Sequence, residues 1–353
     1  MDLSEGFKEK CEELMEKVIS VVIPAYNSQD YIAECLDSFL TDKIMNDIEI
    51  LVVNDGSTDN TAAIAQKYCE RYPDTFRLFN KKNGGHGSGI NYGIRYATGT
   101  FFKVVDSDDK IDTSYWPEYI ELLKKLSGQN VDIVASDFIT FDDKTGKQIK
   151  HWPATYQEAQ YRGCVSLRDG EVEECIKMHH MTIRTRILQE HHIVIDENHF
   201  YVDAEYITYP IPYADRVYFD PHILYHYRLG RTGQTMRPEV MIRNKERHRY
   251  VMEQLLRFYD DCKERQEQLG ITEGQMEYIA RCIGQMVESH FQIYLSMGFH
   301  KGLRKQLKDW DTSLKVQYPQ VYAATRKKSI DMLRKTNYII LPIGAIVYRI
   351  VKG

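Results

Sequence analysis

No run of about 18 apolar residues occurs anywhere in the 353-residue chain, so no segment predicts a helix that spans a bilayer. The opening stretch, MDLSEGFKEKCEELMEK, is charged and lacks the apolar centre of a secretory signal. Together these predict a protein that is neither secreted nor integral. Cysteine is sparse, seven in all, an odd number with no C-x-x-C pair. That argues against a disulfide framework and against a zinc ribbon, and predicts reduced thiols in the cytosol. Positive charge is not in excess: the net charge is −5, which removes any general expectation of nucleic-acid binding. Internal repeats and low-complexity linkers are also missing. What is present is globular, with 43% hydrophobic and 27% charged residues, enough for one large core or two smaller ones.

Val18 to Ile23 is an unbroken β-branched run, the pattern of a strand buried on both faces. Pro24 ends it, and Ser28 is placed to cap a helix with Ile32, Leu36, Phe39 and Leu40 on one face. A second buried strand, Ile48 to Val53, runs into NDGSTD. Helix spacing returns at Ile64, Ala65, Tyr68 and Tyr72, followed by the strand Phe76 to Phe79 and the glycine-rich NGGHGSGIN. A helix with Ile90, Ile94 and Ala97 then leads to strand TFFKVV and the cluster DSDD. This alternation predicts an α/β fold, a mostly parallel sheet flanked by helices, with ligands beyond the carboxyl ends of its strands. NDGSTD, NGGHGSG and DSDD all follow predicted strands, so three polar clusters converge on one edge. Beyond Pro238 the pattern is helical over roughly 240–268 and 272–297, with Ile279, Ile283, Val287, Phe291 and Leu295 as a core stripe.

Asp106-Ser107-Asp108-Asp109 places three carboxylates in four residues at a strand end. They repel one another unless a cation offsets them, and oxygen ligands suit Mg²⁺ or Mn²⁺. A solvated acidic turn is the competing reading. In NDGSTD, Gly56 makes a turn and Ser57, Thr58 or Asp59 caps the helix at Thr61. That leaves Asp55 as a carboxylate at a strand tip, suited to reading a nucleobase N–H. NGGHGSG imitates a dinucleotide fingerprint, and a nicotinamide oxidoreductase is the reading it would carry. Its spacing is G-x-G-x-G rather than G-x-G-x-x-G, which argues against it. The pairs His179-His180 and His191-His192 read as ordinary surface or pocket residues, because sequence neighbours do not share a helical face.

Three separated segments, VISVVIPAYNSQDYIAECLDSFL, EILVVNDGSTDNTAAI and NGGHGSGINYGIRYATGTFFKVVDSDD, resemble in order the opening of a family 2 glycosyltransferase with the GT-A fold. The likeness covers nearly all of residues 18–112, and FYVDAEY and YHYRLGRTGQTM resemble later segments of that family. The resemblance implies an inverting, metal-dependent transfer of a sugar from a UDP-sugar to a hydroxyl. It implies that Pro24, Ala25, Tyr26 and Asn27 line the base and ribose pocket and that Asp55 accepts from the uracil imide. Asn83, Gly84 and Asn91 border the donor, with Asp106, Ser107 and Asp109 beside it. Asp106 and Asp108 match the D-x-D positions, Asp108 as the direct metal ligand and Asp109 facing the donor sugar. His226 matches an occasional third ligand, and Arg228 and Arg231 either contact diphosphate or form salt bridges. Asp203 matches the catalytic base, with Val202 where the family has Glu and Glu205 as its substitute.

On this reading the chain divides into an arm over 1–17, a GT-A domain over 18–238, a helical extension over 239–337 and an apolar, basic tail over 338–353. Processive synthases of the family carry a Q-x-x-R-W segment. None occurs here, so the expected acceptor is a glycan or lipid-linked saccharide receiving one sugar, on the cytosolic side of a membrane. The valine at 202 motivates a non-catalytic nucleotide-sugar-binding protein as the competing function. The tail, TNYIILPIGAIVYRIVKG, is too short to span and is flanked by cations. Pro342 and Gly344 favour a segment lying on an anionic membrane surface over a last helix docked in a core groove.

Overall fold

The first strand, β1 (Ile19–Ala25), is buried along all seven residues. Val22 joins Phe102 and Val104 on one face of the sheet, while Val21 and Ile23 join Ile50 and Val52 on the other. Burial on both faces is what an unbroken apolar strand supplies. In the computed structural model, residues 17–231, 238–298, 302–325 and 327–352 are described. The predicted arm, apart from Lys17, therefore lies outside the described residues.

After β1 come α1 (Ile32–Asp37), β2 (Ile48–Asn54), α2 (Thr61–Arg71), β3 (Phe76–Asn80), α3 (His86–Tyr96) and β4 (Phe101–Val104). The Ser28 carbonyl accepts from the Tyr31 and Ile32 amides, but its buried hydroxyl makes no cap, contrary to expectation. The N-cap position of α2 falls on Asn60, whose side chain makes no cap, while Asp59 Oδ1 accepts from the Thr61 amide at 2.9 Å. Helix α3 lies so close on β1 that a Cβ on Gly93 would stand 2.3 Å from Val22 Cγ2.

The chain continues through β5 (Lys110–Ile111), α4 (Trp116–Ser127), β6 (Ile133–Asp142), β7 (Gln148–Trp152), β8 (Cys164–Ser166) and β9 (Met181–Arg184). Then follow α5 (Thr185–Glu190), α6 (Asp203–Thr208) and β10 (Arg216–Leu229). The sheet order is β3-β2-β1-β4-β9-β6-β10-β5. The β3-β2-β1-β4 half is parallel, as predicted. Beyond it the sheet is mixed, because β9 runs antiparallel to both β4 and β6. No helix crosses over between β8 and β9 among the described residues, so nothing imposes the parallel direction there.

The remainder is helical: α7 (Pro238–Arg243), α8 (Lys245–Glu264), α9 (Gln266–Leu269), α10 (Glu273–Ser296), α11 (Leu303–Gln317), α12 (Pro319–Ala323), α13 (Lys328–Lys335) and α14 (Leu341–Lys352). Helix α10 opens on a capping box between Thr272 and Gln275. Its predicted stripe, Ile279, Ile283, Val287, Phe291 and Leu295, is buried throughout. The Tyr278 hydroxyl accepts from the Ile176 amide at 2.9 Å, and Gln275 Nε2 donates to the Ala214 carbonyl at 2.9 Å. The helices thus share one apolar core with a face of the sheet. Among the described residues, no helix is long and apolar enough to cross a membrane.

Candidate active site

The parallel half of the sheet brings its carboxyl ends to one side. There a cavity of about 360 Å³ opens between the strand ends and α6. Pro24, Ala25 and Tyr26 line it from the end of β1, Asp55 from β2, and Asp106, Ser107 and Asp108 from β4. Gly85 and His86 close one side, Asp203 and Arg231 another. Tyr26 is 54% exposed, leaving its ring face open to a planar ligand.

Asp55 is almost wholly buried, and its carboxylate organises the glycine-rich loop. Its Oδ1 accepts from Lys81 Nζ at 2.7 Å and from the Gly84 amide at 2.9 Å, and its Oδ2 accepts from the Gly85 amide at 2.7 Å. Gly85 has φ +82°, the left-handed backbone that turns its amide toward Asp55. Two loop amides that a dinucleotide fingerprint would offer to pyrophosphate are therefore committed to a carboxylate. The nicotinamide reading loses its structural basis.

The acidic tip is strongly polarised. Burial first, then the neighbouring carboxylates, push Asp109 well above the usual carboxylate range and raise Asp108 as well. Burial also opposes the Asp106 charge, but His86, whose Nε2 lies 2.9 Å from Oδ1, outweighs it and lowers the Asp106 pKa. The same pairing raises His86 against its own burial. Arg231 Nε stands 2.6 Å from Asp108 Oδ2 at the cavity wall.

Side-chain ligand atoms of Asp106, Asp109 and His179 all lie within 4.8 Å of one another. His179 Nδ1 is buried without a hydrogen-bond partner, and burial takes its pKa down to about 4. A neutral imidazole beside crowded carboxylates fits a divalent cation. Asp109 fits it less well than geometry alone implies: Oδ2 accepts from the Tyr225 hydroxyl at 2.6 Å and Oδ1 from the Arg228 amide at 2.7 Å.

Asp203, the first residue of α6, faces the cavity. Enclosure by the cavity walls, then the Asp106 charge, raises its pKa, against His86. Val202 beside it is 1% exposed and belongs to the apolar core. Glu205 is fully buried and its Oε2 accepts from the Asp196 amide at 2.8 Å. Burial raises its pKa to about 8, so it is mostly neutral at pH 7 and braces a loop. A carboxyl raised on folding binds its proton more tightly in the native state, so its contribution to stability falls as pH climbs from about 4.5 toward 8. Glu205→Gln is expected to raise Tm more at pH 8 than at pH 5, read by calorimetry at both values.

Several expected site residues stand behind the cavity. Asn27 braces a turn, its amide donating to Ser57 Oγ and its Oδ1 accepting from the Thr58 amide. Asn83 Nδ2 donates to the Asp55 carbonyl, and Gly84 is held by the Asp55 carboxylate. Asn91 makes two 2.8 Å bonds to the Ile195 backbone, tying α3 to the 195 loop. Asp109 is turned inward onto Tyr225 and Arg228 and does not line the cavity. His226 is not at the acidic tip: its Nε2 lies 3.4 Å from Asp112. Arg228 takes the salt-bridge role, pairing Glu34 and Asp143, while Arg231 reaches the cavity.

His86 and His179 carry signals the sequence reading passed over. His179 sits in a turn before β9, where the argument from helical faces does not apply. Behind it, fully buried Lys103 donates to the His179 carbonyl at 3.0 Å and to the Met181 carbonyl at 3.2 Å. Burial lowers its pKa to about 7. Lys103→Met keeps an unbranched apolar chain in that channel but unpins the His179 turn. The expected result is a loss of Mn²⁺ affinity of about 10- to 100-fold with the fold retained, measured by Mn²⁺ electron paramagnetic resonance and circular dichroism.

Comparison with known proteins points the same way. The family model of glycosyl transferase family 2 matches residues 20–190. The putative glycosyltransferase EpsH of Bacillus subtilis (strain 168) is 30% identical over 223 residues, 60% of this chain and 60% of that protein. The uncharacterized glycosyltransferase EpsJ of the same organism is 29% identical over 225 residues, covering 61% of this chain and 62% of its own. The chain thus spans about three fifths of these relatives' length. Residues 1–349 of S. aureus TarS, crystallised with UDP-GlcNAc, superpose with a TM-score of 0.57 at 18% identity. That match covers 95% of this chain and 92% of the other. It shows a shared GT-A fold.

Proposed function

We propose that this chain, a glycosyltransferase of family 2 built on the GT-A fold, moves a sugar from a UDP-sugar to an acceptor hydroxyl with inversion at the anomeric carbon. One observation carries the reading: Tyr26 and Asp55, the acidic residues Asp106 and Asp108, and the carboxylate Asp203 line a single cavity. Residues 18–238 form the catalytic unit and 239–337 a helical extension packed against it. The acceptor is a glycan or lipid-linked saccharide. That TarS has been crystallised with UDP-GlcNAc supports uridine as the base.

In this site Tyr26 stacks on the uracil and the Asp55 carboxylate accepts from its imide, in addition to the loop amides it already holds. Asp106, Asp108 and His179 hold a divalent cation, Mg²⁺ or Mn²⁺. When bound, that ion offsets charge on the diphosphate leaving group. Arg231, whose Nε pairs with Asp108, sits at the cavity wall where it can turn to a phosphate. Asp203 accepts the proton of the acceptor hydroxyl while that oxygen bonds to the anomeric carbon and the bond from that carbon to the diphosphate oxygen breaks. A single displacement inverts the centre.

A thermal-shift panel of nucleotide sugars with and without Mn²⁺ tests the reading. UDP-sugars are expected to raise Tm, and more so with the cation. No response to any nucleotide sugar would remove the donor assignment. Slow cation-dependent donor hydrolysis in water separates a transferase from a non-catalytic binder, which shows none.

A further inference from the structure

Helix α14 is docked and exposed at once. Leu341 and Ala345 are buried, and a Cβ on Gly344 would stand 3.5 Å from Leu295 Cδ2, so one face lies directly on α10. The opposite face and the turn before it present Ile339, Ile343 and Ile346, which are 65%, 64% and 60% exposed. Met332, on α13, adds a fourth large apolar side chain at 54%. Ile343 and Ile346, three apart on α14, share one side of the helix, and exposed Ile339 stands in the turn before it. A tail that is only a core helix would turn polar residues outward here.

The charges around this ridge oppose the sign of the whole molecule. From residue 327 to 352 the sequence holds Lys327, Lys328, Arg334, Lys335, Arg349 and Lys352 against the single acidic Asp331, in a chain of net charge −5. Arg334 is spent internally, bonded to Asp311 and stacked over Tyr322, and Lys327 pairs with Glu288 at 3.4 Å. Lys328 and Lys335 are exposed, and exposed Arg304 donates to the Asn337 carbonyl at 2.9 Å, next to the ridge. A second copy of the chain laid symmetrically on this face would bring cations against cations. An anionic surface with an apolar interior meets both features.

We propose that the ridge Ile339–Ile343–Ile346 with its lysine and arginine border is a membrane-docking surface, α14 lying in the interface of an anionic lipid leaflet with its inner face fixed to α10. The surface also has a position that suits the reaction proposed above. Near the same end of α10, a small cavity between α8, α10 and α11 is lined by Lys245, Arg249, Tyr294 and Met297. One turn along α8, Arg247 lies over the Phe200 ring, and Phe200 lines the candidate active site. The docking face and the cavity are joined by one helix pair.

The test is flotation of the full chain with vesicles of mixed phosphatidylcholine and phosphatidylglycerol, and with pure phosphatidylcholine. The wild type is expected to float with the anionic vesicles and to stay in solution with the neutral ones. Ile339→Ser, Ile343→Ser and Ile346→Ser combined should cut partitioning about 100-fold, since these side chains are exposed and their loss leaves the core intact. Lys328→Glu with Lys335→Glu should cut it about tenfold and abolish its salt dependence. The proposal is overturned if the wild type ignores anionic vesicles or if the triple variant floats as well as the wild type. It is equally overturned if light scattering finds a dimer that the triple variant dissolves. Donor hydrolysis by the same variants is expected to be unchanged; its absence in the wild type would count against the transferase reading and leave the flotation result standing. Deleting the tail is the poorer test, because Tyr338, Leu341 and Ala345 are part of the core.

Discussion

Asp203→Asn is expected to lower the rate of sugar transfer by about 10²- to 10⁴-fold while UDP binding stays within a few-fold of the wild type. Amide for carboxylate keeps the shape of the side chain and removes the one property the step needs, the capacity to take a proton. On the proposed reading this property belongs to one carboxylate of α6, Asp203. Asp203 faces the cavity, whereas Glu205 is turned into the core and holds the Asp196 amide. Val202, where a second acid was expected, is core. Glu205→Gln should therefore leave transfer near wild type. The reverse pattern in the two variants would move the base to Glu205. The pH profile gives a second reading. Enclosure and the Asp106 charge raise the Asp203 pKa. Asp203 accepts a proton only when ionised, so activity falls as pH drops through that raised value. Its acid limb is expected above the pH where an ordinary aspartate titrates, and it should vanish in Asp203→Asn.

How much of this was legible beforehand follows a physical division. Strands β1 and β2 are legible because burial on both faces demands nearly continuous apolar runs; Ser20 and Glu49, which interrupt them, are buried against each other, the Ser20 hydroxyl donating to the Glu49 carboxylate. The tips of β1, β2 and β4 place Tyr26, Asp55 and Asp106 on one edge, since chain direction in a parallel sheet leaves little choice. Which neighbour then points into the cavity depends on the two or three residues after each strand leaves the sheet, and no periodicity governs those. Asp108 faces the cavity while adjacent Asp109 bonds Tyr225, 116 positions away. Asn91 looks like a donor ligand in sequence, yet it clamps a loop 104 positions away. His179 was set aside by a rule about helices that its turn does not obey. The tail reads as membrane-bound or docked, but a helix has two faces: one face of α14 packs on α10 and the other is exposed and apolar.

The acidic tip yields the sharpest division between two neighbouring carboxylates. Asp108→Ala is expected to lower cation-dependent turnover by about 10³-fold and to leave the fold intact. Asp109→Ala is expected to act first on stability, because it strips the Tyr225 hydroxyl and the Arg228 amide of their acceptor in a fully buried place. The two variants separate by Tm and by Mn²⁺ affinity. Burial first, and then the crowding of Asp106, Asp108 and Asp109, raises the pKa values of Asp108 and Asp109. A bound ion relieves that crowding. Saturating Mn²⁺ should thus raise the wild-type Tm, worth about 2.7 kcal/mol at a hundredfold excess over Kd. It should do little for Asp108→Ala. Should Asp108→Ala keep Mn²⁺ affinity and turnover while His179→Ala and Asp109→Ala lose both, the ion would sit deeper, on the Asp106–Asp109–His179 set. Tyr225 would then have to release its carboxylate on binding, a change visible in the ultraviolet spectrum of its phenol.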